Sequence, residues 1–155
     1  MVMSAEQFRK IVVPIDGSEH SFRAASKAIR IAKKFGAELM LVHVASINQN
    51  LRLLGVYGTS HPESLAARIK EEENVASSWF ARIQEEAGRE GVAVRSEVIE
   101  GPLSDVGEIV QYAENNDVDL IVMGSRGRTG FKKMILGSVA SGVVTYAPCA
   151  VLVVK

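Results

Sequence analysis

Two close glycines flank a basic spacer in Gly124-Ser125-Arg126-Gly127, and nine residues separate Gly127 from the pair Gly137-Ser138. The segment runs from an apolar stretch, residues 120–123, to a stretch with helical character, residues 138–146. Glycine tolerates positive φ and lets a ligand approach the backbone with no Cβ in the way. Ser138, after Gly137, is placed to open a helix, whose free N–H groups and dipole favour an anion. Arg126, Arg128, Lys132 and Lys133 put positive charge in the same stretch. A strand, a glycine loop with cations and a helix start suit the holding of phosphate groups, so nucleotide binding is the leading expectation.

The elements that must position this loop follow from hydrophobic periodicity. Apolar runs predict strands over 10–15, 38–44, 92–99, 119–123 and 149–154. Between them, Phe22, Ala25, Ile29 and Ala32 recur at helical spacing up to Gly36, a C′ glycine. Pro62 suits the first turn of a long helix to about Gly88, with Leu65, Ile69, Ala76, Phe80, Ile83 and Ala87 as its buried stripe. Pro102 starts another helix with Leu103, Val106, Val110 and Ala113 on one face, and 138–146 forms a short last one. Residues 45–61 read as a loop, either functional or folded back on its own leucines.

Strands alternating with helices imply parallel pairing, right-handed crossovers and helices on both sheet faces. The expected fold is a single α/β domain over 1–155, a doubly wound five-stranded parallel sheet of order 3-2-1-4-5. In such sheets ligands bind beyond the carboxyl ends of the strands where the order reverses. There the end of strand one, Pro14-Ile15-Asp16-Gly17-Ser18, meets the end of strand four, Gly124-Ser125-Arg126-Gly127. Asp16 is a candidate ligand contact or, alternatively, a turn or capping residue, since Asp favours such turns.

The rest of the chain narrows the classes. Lys plus Arg equals Asp plus Glu at 18 each, which argues against nucleic acid or an anionic membrane as partner. No run approaches the ~18 apolar residues of a membrane span, and the N-terminus has no apolar stretch of signal-peptide length, so a cytoplasmic location is expected. Cys149 stands alone in an apolar setting and reads as a buried, inert thiol. Glu71, Glu72 and Glu73 occupy consecutive helical positions and fan around the axis, which reads as a solvated face rather than a metal site. The Gly-x4-Gly-Lys-Ser/Thr loop is missing, His20, His43 and His61 are scattered, and no acid–base pair is evident. No catalytic residue and no protein metal ligand is therefore assigned.

With these motifs in place, the chain resembles the ATP-binding branch of the universal stress protein family, whose fold is adenine-nucleotide α-hydrolase-like. The resemblance spans nearly the whole chain: Val13 to Ser18, the pair His43-Val44, and a Gly-x2-Gly-x9-Gly-Ser pattern met by Gly124, Gly127, Gly137 and Ser138. It implies that Pro14, Ile15 and Asp16 sit against the adenosine half of ATP and that Val44 meets the adenine edge through its backbone, with His43 packing. It implies further that Met123, Gly124, Ser125, Arg126, Gly127, Arg128, Thr129 and Gly130 wrap ribose and phosphates. Ser138, Val139 and Ala140 then offer N–H groups and a hydroxyl to the phosphate tail, and Mg²⁺ is held mainly through phosphates and water. The resemblance also implies a homodimer through the last strand, 150–154. The function it implies is an ATP-binding regulatory or stress-response module with little or slow hydrolysis. The alternatives are a dimeric adaptor with an empty pocket and a slow ATP hydrolase.

Overall fold

A computed structural model describes residues 7–45, 62–127 and 136–155. Strand β1 (Lys10–Pro14) leads through a turn into helix α1 (Glu19–Phe35) and strand β2 (Glu38–Val44). Helix α2 (Pro62–Arg89), strand β3 (Val94–Ile99), helix α3 (Asp105–Asn115), strand β4 (Leu120–Gly124), helix α4 (Ser138–Tyr146) and strand β5 (Ala150–Val154) follow. The strands form one sheet of order β3-β2-β1-β4-β5, and all its pairings are parallel. This is the doubly wound order expected from the sequence.

Side chains alternate along each strand, so the sheet feeds two cores. Ile11, Val13, Leu39, Leu41, Leu120 and Val122 face α1 and α2, where they meet Ala25, Ile29, Phe80 and Ile83. Val12, Met40, Val42, Ile121 and Met123 face α3 and α4, against Ile109, Ala113, Ala140 and Val143. Burial on both faces explains why β1, β2 and β4 are near-continuous aliphatic runs.

Local signals set the helix ends. Ser18 is the N-cap of α1, its Oγ accepting the Ser21 N–H at 3.1 Å, and Gly36 closes the helix in the left-handed region at φ 66°. Helix α3 starts later than Pro102 suggests. Ser104 caps it by accepting Gly107 N–H at 3.2 Å, while Leu103 lies outside it, 44% exposed, with its N–H donated to Glu108 Oε1. Ile109 takes the buried place on that face. Strand β3 begins two residues after the expected Val92, and Val92 packs against the core from outside the strand. Strand β5 begins one residue after Cys149. The loop expectation for 45–61 lies, beyond residue 45, outside the described residues.

The two sheet edges differ. Strand β3 exposes Arg95, Ser96 and Glu97, with Arg95 ion-paired to Glu38. Strand β5 offers only Ala150, Val151, Leu152, Val153 and Val154, with Leu152 39% exposed. Cys149 is half-buried, and burial, followed by the nearby Asp119 carboxylate, pushes its thiol up from its ordinary range. The thiolate is disfavoured, as an inert role requires.

Replacing Ser18 by Ala removes the α1 cap and is expected to cost about 1 kcal/mol of unfolding free energy. Urea denaturation, compared through the midpoint at constant slope, checks it.

Candidate functional site

The carboxyl ends of β1, β2 and β4 and the N-terminus of α4 enclose a cleft of about 450 Å³. That size falls within the roughly 300–1,000 Å³ of small-molecule sites. Its position at the β1/β4 switch point is the one the strand order dictates. Among the residues singled out from sequence, Pro14, Ile15, Asp16, Val44, Met123, Gly124, Ser125, Arg126, Gly127, Gly137, Ser138, Val139 and Ala140 all line it. Arg128, Thr129 and Gly130 lie outside the described residues.

Of the two roles glycine offers, positive φ and an approach with no Cβ in the way, these glycines do not use the first. Among the described glycines, positive φ occurs at Gly17, Gly36 and Gly91, and not at Gly124, Gly127 or Gly137. Close approach is what the three loop glycines provide. A Cβ on Gly124 would stand 2.8 Å from the carbonyl carbon of His20, so β4 can end against the start of α1 only without a side chain. On Gly127 it would stand 2.8 Å from Asp16 Oδ2, and on Gly137 it would stand 3.2 Å from Ser125 O. The Gly137 N–H donates to Ser125 O at 2.7 Å and the Ser125 N–H to Val154 O at 2.8 Å. These bonds stitch the two ends of the loop to each other and to β5.

Asp16 takes the turn role and also lies at the cleft. Its Oδ1 accepts the Ser18 N–H at 2.9 Å, which makes it the Asx-turn residue of Asp16-Gly17-Ser18, and its carboxylate also lines the cleft. Gly17, at φ 81°, sits under Trp79, whose ring occupies the space a Cβ would need. Trp79 thus holds the turn that aims Asp16.

At the opposite wall the first residue of α4 is Ser138, not a cap. Gly137 is the N-cap, in extended conformation, and no side chain caps the helix. Ser138, Val139 and Ala140 line the cleft at this helix start, beside Arg126. Uncapped N–H groups, the positive end of the dipole and a guanidinium make that end of the cleft suited to an anion. Asp16, Glu72 and Asp105 line the same cleft. Among the described residues, no group of three or more His, Cys, Asp or Glu could hold a metal ion.

Sequence reasoning missed Ser21, Val42, His43, Glu72, Asp105 and Ile109 as lining residues. His43, read as a packing residue, is buried, yet it is also hydrogen-bonded on both ring nitrogens, to Ile15 O at 2.8 Å and Glu72 Oε2 at 2.9 Å. Glu72 is therefore not part of a purely solvated acidic face. The buried His at the end of β2 was the available signal, because a buried ring needs polar partners.

Fold and cleft together define a doubly wound α/β protein with an open cleft at its topological switch point. The family model of the universal stress protein family matches residues 7–155, and the chain belongs to that family. Universal stress protein MJ0531 of Methanocaldococcus jannaschii is 40% identical over 148 residues, which is 96% of this chain and 82% of that one. The solved structure of MJ0577 superposes with a TM-score of 0.79 at 29% identity, covering 96% of both chains. Two further solved universal stress proteins, each 23% identical, share the fold. One is in complex with cAMP (TM-score 0.71, 97% of this chain and 99% of that one). The other, from Archaeoglobus fulgidus, is in complex with dAMP (TM-score 0.65, 96% and 99%).

Gly124→Ala forces a Cβ against α1 backbone that has no flexible end to yield. A loss of about 1–3 kcal/mol in unfolding free energy is expected. Denaturant titration of the variant against wild type measures it.

Proposed function

We propose that this protein binds an adenine nucleotide, ATP with Mg²⁺ held through its phosphates and water, and acts as a nucleotide-dependent regulatory or stress-response module of the cytoplasm. The observation that carries the reading is the make-up of the cleft. It brings an uncapped helix start and Arg126, suited to an anion, together with the acceptor groups of Asp16 and Glu72 at the switch point. A nucleotide offers both counterparts, anionic phosphates and a donor-bearing sugar and base. That dAMP and cAMP occupy this fold in two other family members supports the reading.

In this assignment Asp16, with Pro14 and Ile15, faces adenine or ribose, and the Val44 backbone meets the adenine edge. The segment from Met123 to Gly130 wraps ribose and phosphates, and Ser138, Val139 and Ala140 donate to the phosphate tail. The absence of a Cβ on Gly127 keeps the loop tight against Asp16, so ribose and loop share one wall. Mg²⁺ fits as a phosphate-borne ion, since it usually keeps several waters and needs few protein ligands. No catalytic residue is assigned, and hydrolysis is slow or negligible.

Protein purified without added nucleotide and then denatured is expected to release near-stoichiometric ATP or its breakdown products, identified by chromatography and mass. An empty pocket that also fails to take up ATP with Mg²⁺ overturns the reading. Gly127→Arg fills the cleft beside Asp16 and is expected to abolish nucleotide retention at unchanged sedimentation. Equal occupancy in that variant removes the loop from the site.

We also propose a homodimer in which β5 of two copies pair edge to edge. The uncharged outer edge of β5 supports it, because a solvent-exposed apolar edge invites association, whereas β3 is protected by charges. Leu152→Glu is expected to give a monomer in analytical ultracentrifugation, and a dimer of that variant would refute this interface.

A further inference from the structure

His43 and Glu72 pose a proton problem that the nucleotide reading leaves unsolved. A carbonyl oxygen only accepts, so the contact to Ile15 O at 2.8 Å requires a hydrogen on Nδ1. The contact from Nε2 to Glu72 Oε2 at 2.9 Å requires another hydrogen between them. That hydrogen sits on Nε2, giving an imidazolium and a carboxylate, or on the carboxyl, giving a neutral ring and an acid. Either way the pair holds one proton more than a neutral histidine beside a carboxylate. Without it, two lone pairs would face each other at hydrogen-bond distance. Trp79, edge-on at 5.2 Å, leaves the ring little freedom to turn away. The His43 side chain is only 8% exposed, while Glu72 is 38% exposed and free to rotate into water.

We propose that Glu72 is a positioning residue of the cleft, acting through His43: their shared proton ties α2 to the carboxyl ends of β1 and β2, and nucleotide retention falls when that proton is lost. This rests on the nucleotide reading above, because His43 lies between Val42 and Val44 on the wall assigned to the base. The bridge joins three elements: α2 through Glu72, β2 through His43 and β1 through the Ile15 carbonyl. Among the described residues, Arg68 stands one helical turn before Glu72 on α2. Asp16 follows Ile15 on the β1 side, Asp105 of α3 and Arg126 also line the cleft, and Glu71 and Glu73 flank Glu72 on α2, with Lys70 paired to Glu73. The strand neighbours of His43 add no charge, since β3 pairs Val98 with it. None of these groups supplies the missing hydrogen, because the carbonyl, carboxylate and ring account for every partner of the two nitrogens. The sign follows: the bridge is present at low pH and lost as pH rises.

The test compares MgATP affinity of wild type, Glu72→Gln and Glu72→Ala from about pH 5 to about pH 9, a span that brackets the ordinary histidine range. Wild type is expected to bind about fivefold more weakly at the upper end than at the lower, the scale of one lost hydrogen bond. Glu72→Gln can donate its amide to a neutral Nε2 with no extra proton, so its bridge survives and its profile lacks this step. Glu72→Ala is expected to be weak throughout. Titration of ATP, His20 and His61 is common to all three proteins, so the difference between profiles isolates the pair. Wild-type and Glu72→Gln profiles of the same shape overturn the proposal. Nitrogen NMR of the His43 ring in unliganded protein decides it independently. The wild-type ring is expected to keep both N–H signals to higher pH than the ring of Glu72→Gln, which has no carboxylate to hold the second proton, and identical behaviour in the two overturns the shared proton. Failure of every protein to bind MgATP would overturn the nucleotide reading and the retention effect, while the ring signals still decide the proton.

Discussion

The cleft depends on close approaches between chain segments that a Cβ would crowd. Strand β4 ends against the first turn of α1 at Gly124, the loop beyond it closes on Asp16 at Gly127, and the loop returns to touch Ser125 at Gly137. Each approach draws one wall of the cleft toward the next, so the glycines act on the protein's own geometry before they act on any ligand. At Gly124 and Gly137 backbone packs on backbone, which is stiff because a backbone partner has no rotamer to change, whereas at Gly127 the neighbour is the Asp16 carboxylate. The loop ends held in this way, at Gly124 and Gly137, present their groups with little freedom left to lose on binding, which is what preorganisation means energetically.

On that frame the charges are sorted by the topology. The start of α4 and Arg126 fall on the β4 side, whereas Asp16 and Glu72 come from the turn after β1 and from α2. No single element supplies all these charges; their meeting follows from a strand order that brings the ends of β1 and β4 side by side while crossovers carry their helices to opposite faces. The same order leaves β5 as an uncharged edge, and the Ser125 N–H to Val154 O bond joins that edge to the loop. Pairing of β5 with a second copy and filling of the cleft would therefore bear on neighbouring backbone.

Much of this was legible in the sequence, for reasons that can be separated. The strands and helices were readable because burial on both faces makes strands continuously apolar and helices amphipathic, and the sheet order followed from alternation. The thirteen described residues singled out for the site line the cleft because strand ends and turn residues are sequence-local features. What stayed hidden depends on distance in space. Nothing local shows that Gly124 faces His20 or that Gly127 faces Asp16, so the sequence leaves open which of glycine's two roles applies, and the close approach here is to the protein's own groups. Pro102 suggested a helix start, yet Ser104 had the better capping side chain and set the end.

Glu72 shows the limit most clearly. Helical geometry says correctly that Glu71, Glu72 and Glu73 point in different directions, and it follows that they cannot converge on one ion. The same geometry means that one of the three can face inward while its neighbours face water, a consequence the composition of the run conceals. Which one faces inward is fixed by the rotation of α2, and that rotation is set by Ala76, Phe80, Ile83 and Ala87 in the core below. Glu72 lies four residues before Ala76 and so continues the buried stripe toward the cleft, where the apolar packing gives way to a histidine. A carboxylate on the line of a hydrophobic stripe is a local inconsistency, and such places are where function or strain is expected to reside.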